Sequence, residues 1–347
     1  MKIDTTPKYE FADVFIKPRY SEIFSRKAVD TSQMVWGKKV NVPMVSANMD
    51  TVTDGTFAAA VTKAGGLGAI HRYMTVDENV KEFETFKSKA KGKMCFCSLG
   101  TNVETEMPRF HKLYEAGARW FIIDIAHGAS VNTMRMLEQI QGHYVDNGLQ
   151  KDVKIVIGNV ATPESLDAFF SEEIENFVDG FKVGIGPGFV CTTKNVTGVT
   201  VPQFSAIADC VRAIRNHEEF DNRHRLIIAD GGIRENGDIA KAIGAGADLV
   251  MSGKLFVECA ESISARRTYP GHKIVYRGMA SKGAMMDFHG KMSSTPEGRE
   301  EEIESHDRTV SVLMEEIAGG LRSACSYNNS RSLATFRGNV HFGVRHK

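Results

Sequence analysis

The sequence predicts an α/β fold, a (β/α)8 TIM barrel formed by a single domain. Eight short apolar runs, most of them continuous and β-branched, are typical of strands buried on both faces of a parallel sheet. Helical patterns separate most of the runs, and the 32 glycines cluster just after them. Strand and helix alternating in this way favours a closed barrel, but an error of one or two strands would leave an open doubly wound sheet as the alternative.

The elements can be marked in chain order. The predicted strands are Val42–Ala47, Gly66–Ile70, Met94–Leu99, Trp120–Asp124, Val153–Gly158, Gly180–Val183, Leu226–Asp230 and Leu249–Ser252. The predicted helices are Thr53–Ala64, Val76–Lys89, Val103–Ala116, Val131–Asn147, Pro163–Phe170, Pro202–Asn216 and Asn236–Gly244. In a barrel the active groups come from the loops that follow the carboxyl ends of the strands, so we expect the functional site there.

The alternation weakens after Ser252. Residues 283–308 are mostly polar and include Pro296 and Gly298, and we predict that they form a mobile flap; a solvated loop is the alternative. The basic segment Arg331–Lys347 is predicted to be poorly ordered unless it docks onto the barrel. We expect residues 1–347 to form one barrel domain.

Composition excludes several classes of function. The chain has 43 Lys and Arg against 43 Asp and Glu, and this zero net charge argues against a general affinity for nucleic acid or anionic membranes. No run of about 18 apolar residues is present, and the N-terminus lacks the apolar core of a signal peptide. Six cysteines in 347 residues do not make a disulfide framework. We therefore expect reduced thiols and a cytoplasmic location.

The segment Lys182–Lys194 carries the strongest signal for chemistry. Gly184, Gly186 and Gly188 follow a predicted strand, and their spacing differs from the G-x-G-x-x-G dinucleotide motif. Such glycines allow the backbone to approach a ligand closely. Cys191 in this loop is either a nucleophile or, like most lone cysteines, a small core residue. Thr193 could orient water or a leaving group.

A second segment, Ile228–Arg234, points to a phosphorylated ribose. Asp230 at a strand end can accept hydrogen bonds from vicinal hydroxyls, and Gly231 and Gly232 expose backbone N–H groups. Loops after the last two strands form the usual phosphate site of a barrel, which would include Ser252–Gly253. The alternative is a pair of tight turns with Asp230 as a helix cap.

Two weaker candidates lie on the same predicted rim, and a third lies on the predicted flap. Asp124, in Ile123–Gly128, could hold a ribose or a nicotinamide, although a structural histidine at position 127 is the alternative for that motif. Ser46–Asp50 is similarly ambiguous. An isolated Glu297 on the flap is normally solvated.

These segments resemble the IMP dehydrogenase/GMP reductase family over nearly the whole chain. The matching motifs are VPMVSANMDTVT (Val42–Thr53), GNVAT (Gly158–Thr162), KVGIGPGFVCTTK (Lys182–Lys194), ADGGIRENGDIAKAIGAGAD (Ala229–Asp248) and YRGM (Tyr276–Met279). The resemblance implies a TIM barrel that binds a purine 5′-monophosphate and forms a thioimidate at purine C2, with Cys191 as nucleophile.

The resemblance also implies roles for other residues. For the substrate it implies the ribose at Asp230, the phosphate at Gly232, Ser252, Gly253 and Tyr276, the base at Gly278 and Met279, and a further contact at Ser46. On the cofactor side it implies Asp124, Arg72 and Ala126. Backbone carbonyls of Gly186, Gly188 and Cys191 are expected to hold a potassium ion, and the chain is expected to form a homotetramer.

Within the family the resemblance favours GMP reductase. Two features differ from the dehydrogenase: the chain has no inserted pair of CBS modules, and Asp287–Glu304 contains no Arg-Tyr pair. Two segments are similar to reductase motifs, GLRSACSY (Gly320–Tyr327) and IDIAHG (Ile123–Gly128). YRGM and GAM (Gly283–Met285) look more like the dehydrogenase. Phe189 stands where the family usually has a phosphate-binding Ser, and Arg72 stands where many reductases have Lys.

The implied reaction is the NADPH-dependent reductive deamination of GMP to IMP and ammonia. Thr193 and Glu297 would pass a proton to the departing ammonia, and hydride from NADPH would then reduce the thioimidate. An IMP dehydrogenase without CBS modules, forming XMP with NAD, is the alternative. A barrel that binds a purine nucleotide as a sensor, without turnover, is a further alternative.

Overall fold

The computed structural model describes residues 3–171, 174–221, 223–269, 272–292, 295–304 and 308–345, with the backbone alone for 218–221 and 289. Three short strands precede the main sheet: β1 (Val14–Ile16), β2 (Gln33–Val35) and β3 (Lys38–Val40). The β2–β3 hairpin turns at Trp36 and Gly37, which both have positive φ (44° and 78°). This pair of angles is the one that a tight two-residue hairpin requires.

Eight parallel strands then close into a barrel, which confirms the predicted fold. They are β4 (Met44–Ser46), β5 (Leu67–Ile70), β6 (Phe96–Leu99), β7 (Trp120–Asp124), β8 (Lys154–Val160), β9 (Gly180–Val183), β10 (Leu226–Asp230) and β11 (Leu249–Ser252). Each strand pairs with the next one along the chain, and β11 pairs with β4 to close the ring. All eight carboxyl ends therefore meet at one rim.

Side chains fill the barrel, because residues two apart on a strand face the same side. Phe96, Trp120 and Ile122 belong to this inner layer and are 0–4% exposed. At the amino end of the strands, Trp36 packs edge-on against Trp120 with ring centroids 5.0 Å apart. The β2–β3 hairpin thus closes the bottom of the barrel, and the upper end is left for a site.

The helices surround the barrel, and most lie where the sequence predicts them. They are α1 (Gly55–Lys63), α2 (Val76–Lys89), α3 (Val103–Glu115), α4 (Val131–Asp146), α5 (Thr193–Thr197), α6 (Gln203–Asp221), α7 (Asn236–Gly244), α8 (Lys254–Val257), α9 (Ile263–Arg267), α10 (Lys282–His289), α11 (Val310–Tyr327) and α12 (Leu333–Asn339). The predicted helix Pro163–Phe170 is instead two 3₁₀ turns, because its backbone N–H groups bond three residues back.

The eighth helix of the ring comes late in the chain. Helix α11 follows the predicted flap and packs against α7 and α1, which closes the outer layer. Its buried residues include Leu313, Ile317 and Leu321. None of the helices that the structure describes is both long and apolar enough to cross a bilayer.

The predicted flap is partly regular structure. β12 (Ile274–Arg277) pairs antiparallel with β13 (Glu300–Ile303), and α10 lies between them; we call β12 and β13 the flap hairpin. Residues 293–294 and 305–307 of the predicted flap lie outside the described residues. The C-terminal segment docks onto the rest of the protein, at least up to residue 345. Leu333 and Phe336 of α12 are fully buried, and β14 (Phe342–Val344) pairs with β1. Residues 346–347 also lie outside the described part.

Candidate active site

A cavity of about 430 Å³ opens at the carboxyl rim of the barrel, and we call it the main cavity. Nearly all the residues predicted for the site line it. They are Arg72, Asp124, Ala126, Gly186, Gly188, Cys191, Thr193, Asp230, Gly232, Ser252, Gly253, Tyr276, Gly278, Met279 and Glu297. These residues come from loops far apart in sequence, and the closed ring of parallel strands brings them together.

Ser46 is the exception, and its predicted contact with the substrate needs correction. The residue lies within β4 and is fully buried. Its hydroxyl accepts a hydrogen bond from Thr53 Oγ1 at 3.0 Å, and it does not line the main cavity. Ser46 therefore links strand β4 to the start of the following helix, while the next residues, Ala47 to Met49, reach the cavity.

The residues 184–193, which we call the cysteine loop, take their shape from their glycines. Gly184 has φ +143°, and a Cβ there would lie 2.1 Å from the carbonyl oxygen of Asp230. Cys191 is partly exposed and lines the cavity, so it is not a core residue. Its Sγ donates a hydrogen bond to Thr193 Oγ1 at 3.3 Å, where α5 begins. A thiol at a cavity wall beside a hydroxyl is suited to attack an electron-poor carbon.

Backbone hydrogen bonds join the flap to the cysteine loop. The N–H of Thr192 donates to the carbonyl of Glu297 at 2.8 Å, and the N–H of Arg299 donates to the carbonyl of Val190 at 2.9 Å. On the other side, the N–H of Glu297 donates to the carbonyl of Ala280 at 3.0 Å. Glu297 is thus held at the cavity that Cys191 lines, rather than on a free solvated loop.

Lys182 was not predicted as a site residue, yet it connects the two carboxylates of the cavity. Its side chain is 3% exposed, and Nζ lies 2.9 Å from Asp124 Oδ1 and 2.6 Å from Asp230 Oδ2. Burial alone would lower the pKa of Lys182, but the two carboxylates outweigh it and raise the pKa above its ordinary value. Burial would raise the pKa of Asp124, whereas Lys182 holds it below its ordinary value.

Two asparagines complete this network. Asn159 Nδ2 donates to Asp230 Oδ2 at 2.9 Å, and Asn48 Nδ2 donates to Asp124 Oδ2 at 2.8 Å. Asp230 therefore bonds to Lys182 and Asn159 instead of capping a helix. The available signal was a lysine inside the apolar strand Gly180–Val183, since a charge seldom lies in a buried strand without a partner.

A second cavity of about 1010 Å³ adjoins the first, and we call it the side cavity. Arg72, Tyr73 and Ile125 line both cavities. Arg72 stacks on the Tyr73 ring at 4.8 Å, and its buried Nε has no hydrogen-bond partner among the described residues. An unpaired guanidinium nitrogen at the junction fits a ligand that extends from one cavity into the other. His127 is exposed and lines neither cavity, so it is neither a core histidine nor a site residue here.

Tyr276 lines the main cavity beside Met49 and Gly253. Its side chain is nearly buried, and its hydroxyl contacts the sulfur of Met49 at 3.7 Å. Burial raises the pKa of Tyr276, so the group is a neutral hydrogen-bond donor at pH 7. Gly231 and Gly232, with φ +88° and +77°, line the same cavity and pack against Pro187 of the cysteine loop. Within the described residues, no group of three His, Cys, Asp or Glu side chains could hold a metal ion.

Comparison with known proteins agrees with this geometry. Residues 8–346 match the family model for the IMP dehydrogenase / GMP reductase domain. The chain is 34% identical to a GMP reductase of Buchnera aphidicola subsp. Schizaphis graminum, over 96% of this chain and 93% of that protein. It is 33% identical to a GMP reductase of Caenorhabditis elegans (96% and 90%) and 31% identical to an inosine-5′-monophosphate dehydrogenase of Cryptosporidium parvum (93% and 88%). The chain therefore belongs to the IMP dehydrogenase/GMP reductase family of oxidoreductases, which act on GMP or IMP with a nicotinamide cofactor.

Proposed function

We propose that the protein is a GMP reductase, which converts GMP and NADPH into IMP, ammonia and NADP⁺. The observation that carries this proposal is the position of Glu297, a carboxylic side chain at the cavity lined by Cys191 and Thr193. Between Asp287 and Glu304 the sequence has no tyrosine, and so lacks the Arg-Tyr pair that the family's dehydrogenases use to activate water. A flap that offers an acid but no such pair suits expulsion of ammonia better than hydrolysis.

The reaction begins with the thiolate of Cys191 adding to C2 of GMP. The 2-amino group must leave as ammonia, because an amide ion is a very poor leaving group. Thr193, whose Oγ1 lies 3.3 Å from Cys191 Sγ, and Glu297 supply the proton path to that nitrogen. General acid assistance of this kind contributes a factor on the order of 10²–10⁴. Loss of ammonia leaves a thioimidate, and Cys191 departs after C2 has received a hydride.

NADPH supplies that hydride when it is bound. The residues that fit it are Asp124 and Ala126, which line the main cavity, and Arg72, which lines both cavities. The unpaired Nε of Arg72 offers a donor to the cofactor at this junction. Asp124 is held in its ionised form by Lys182 and can orient a carboxamide or a hydroxyl group.

The network of Lys182, its two carboxylates and the asparagines also positions a group for the substrate. Asp230 is held by Lys182 and Asn159 and still has 21% of its side chain exposed, so it can accept hydrogen bonds from the ribose hydroxyls. Met279 and Gly278 line the wall for the base, and Gly232, Ser252, Gly253 and Tyr276 line the end assigned to the phosphate.

The second candidate is an IMP dehydrogenase without CBS modules, which the YRGM motif and the IMP dehydrogenase relatives favour. One paired assay distinguishes the two: absorbance at the nicotinamide band is followed with GMP plus NADPH, and separately with IMP plus NAD. We expect turnover with the first pair. Turnover with the second pair alone would identify a dehydrogenase, and nucleotide binding without turnover of either pair would favour a sensor.

Two substitutions test the assigned chemistry. Cys191→Ala is expected to abolish GMP-dependent NADPH oxidation, because no covalent adduct can form; retained turnover would remove Cys191 from the mechanism. Glu297→Gln is expected to slow ammonia release in a single turnover by about 10²-fold while GMP still binds. Unchanged ammonia release would exclude Glu297 as the proton donor.

Three further properties belong to the proposal. A potassium ion would be held by backbone carbonyls of Gly186, Gly188 and Cys191; the carbonyl of Gly188 accepts the N–H of Cys191 at 3.2 Å and keeps a second lone pair. Replacing potassium by lithium would then lower kcat. We also propose a homotetramer, which sedimentation tests, and a cytoplasmic location, which fractionation tests.

A further inference from the structure

Phe189 gives the cysteine loop an apolar side chain at the end of the main cavity near Tyr276. The two rings are stacked, with centroids 6.2 Å apart and planes inclined by 13°. A phenyl ring cannot donate a hydrogen bond, so Phe189 cannot itself bind an anion. It can, however, hold a cation against its face.

Two cations lie against this ring. Lys254 Nζ lies 5.4 Å from the ring centroid, and the guanidinium carbon of Arg299 lies 5.3 Å from it. Arg299 also donates a hydrogen bond from Nη2 to the carbonyl oxygen of Phe189 at 3.0 Å, which fixes the loop from the flap side. Of these two cations, Lys254 lines the main cavity. The ring therefore positions an ammonium group at the cavity wall.

Lys254 takes part in a short ion-pair cluster. Its ammonium pairs with Glu258, but that carboxylate also lies 3.8 Å from Arg308. Arg308 has a closer partner of its own in Glu316, at 2.8 Å, so the charges of this cluster balance. What Lys254 offers a ligand is the N–H donors of its ammonium that Glu258 does not use. The ion pair and the ring together restrict the lysine, whose side chain is 29% exposed.

The Tyr276 hydroxyl, close to Lys254, makes only a weak hydrogen bond within the described residues. Tyr276 is 4% exposed, and the hydrogen bond described for its hydroxyl is to the Met49 thioether, 3.7 Å away and a weak acceptor. A Cβ at Gly253 would lie 2.3 Å from Tyr276 Oη. Only glycine at position 253 therefore leaves room for the Tyr276 hydroxyl beside the backbone that leads into Lys254. The carboxylates that line the cavity, Asp124, Asp230 and Glu297, come from other loops.

We propose that Lys254 is the cationic group that binds the 5′-phosphate of the nucleotide, positioned by the face of Phe189 and assisted by the Tyr276 hydroxyl. The inference rests on the proposed function in taking the substrate to be a purine 5′-monophosphate. It adds a residue of this chain that discriminates a nucleotide from its nucleoside. A single charged donor to a phosphate contributes about a 10- to 100-fold change in affinity.

The test is equilibrium binding of GMP and of guanosine, measured by titration calorimetry without cofactor. Lys254→Met is expected to weaken GMP binding about 10- to 100-fold and to leave guanosine affinity within about twofold, so the nucleotide preference falls. The preference should also become less sensitive to salt, because a charge has been removed. Lys63→Met, an exposed lysine just before the strand β5 at the opposite end of the barrel, is the matched control and should keep the wild-type preference.

A second variant covers the case in which Lys254→Met does not fold, as judged by circular dichroism. Phe189→Leu keeps an apolar side chain but removes the ring, and it should lower GMP affinity by about two- to fivefold without affecting guanosine. Equal losses for GMP and guanosine in the Lys254 or Phe189 variant would overturn the proposal. So would an unchanged preference, or a wild-type protein that does not prefer the nucleotide.

The outcome is separable from that of the reductase assay. IMP and inosine are titrated in parallel, so the phosphate contribution is measured whichever purine the enzyme uses. A collapse of nucleotide preference without GMP-dependent NADPH oxidation supports the role of Lys254 and refutes the reductase. Reductase activity with an unaltered preference in Lys254→Met refutes the role of Lys254 alone.

Discussion

Lys182→Met removes the one cation that the described structure sets between Asp124 and Asp230. The wild-type ammonium lies 2.9 Å and 2.6 Å from the two carboxylates and is 3% exposed. Methionine has a similar length and fills the space without charge. The two carboxylates then keep only their asparagine partners, and their negative charges are no longer neutralised at short range.

The size of the effect follows from the burial of the group. Removing one partner of a buried ion pair costs about 3–5 kcal/mol, because the remaining charge is left without compensation. For a chain of 347 residues this corresponds to a fall in Tm of about 4–7 °C. The same substitution at Lys112, whose ion pair with Asp77 is largely exposed, should change Tm by about 1 °C or less.

The pH dependence has a definite sign. The pKa of Asp124 is lowered in the folded protein, so its contribution to stability is present above about pH 4 and is lost as the pH falls through the folded pKa. The pKa of Lys182 is raised, so its contribution is lost only as the pH rises above about 10. In Lys182→Met the pKa of Asp124 should rise, and acid should then neutralise the uncompensated charge. The deficit in Tm is therefore expected to shrink between pH 7 and pH 5.

Differential scanning fluorimetry at constant ionic strength measures both quantities. Wild type, Lys182→Met and Lys112→Met are each melted at pH 7 and pH 5. Equal Tm values for wild type and Lys182→Met at pH 7 would refute the reasoning. A deficit that grows toward pH 5 would refute it as well, because an uncompensated carboxylate is relieved by protons.

Two further predictions concern packing and the flap. Gly68→Ala should lower Tm by about 2–4 °C, because its Cβ would lie 2.4 Å from the backbone and Cβ of Ala58 in α1; Gly319→Ala, which meets no atom within 4 Å, is the control and should not lower Tm. Arg277 Nε donates a hydrogen bond to Asp50 Oδ2 at 3.0 Å, which connects the flap hairpin to the rim of the barrel. Arg277→Met should therefore reduce kcat/KM for GMP about tenfold and speed proteolysis near the flap. Unchanged turnover in that variant would show that the connection is dispensable.

The barrel was predictable because its strands are short, apolar and separated by clear helical patterns. All eight predicted runs are strands, with ends that differ by a few residues. The elements after Ser252 were not predicted as regular structure. Helix α11 does carry apolar residues at helical spacing, but Gly319 and Gly320 interrupt its middle. The short strands β12, β13 and β14 depend on partners distant in sequence, which no local pattern reveals.

In the candidate site, too, the sequence predicts the residues whose position follows from the strand order, and misses those whose position depends on contacts between distant segments. Asp230 ends strand β10 and Cys191 lies in the loop that follows β9, so the barrel topology brings both to one rim. Ser46 was misassigned because it is the last residue of its strand and points into the packed layer, where Thr53 bonds to it. Lys182 was missed because its role depends on two carboxylates from two other strands, Asp124 of β7 and Asp230 of β10. Spacing within one segment carries no information about such a pair.

The main-chain bonds between the flap and the cysteine loop have a consequence for how this enzyme can diverge. Peptide groups of Thr192, Val190, Glu297 and Arg299 make those bonds, and every residue type except proline supplies them. The sulfur and the acid therefore keep their relative position when neighbouring side chains are exchanged. Phe189 lies next to Val190 in this bonded segment, and in our proposal its ring acts through Lys254 on the phosphate and not on the groups assigned to the chemistry. Ligand preference and bond-making can thus evolve separately on this scaffold.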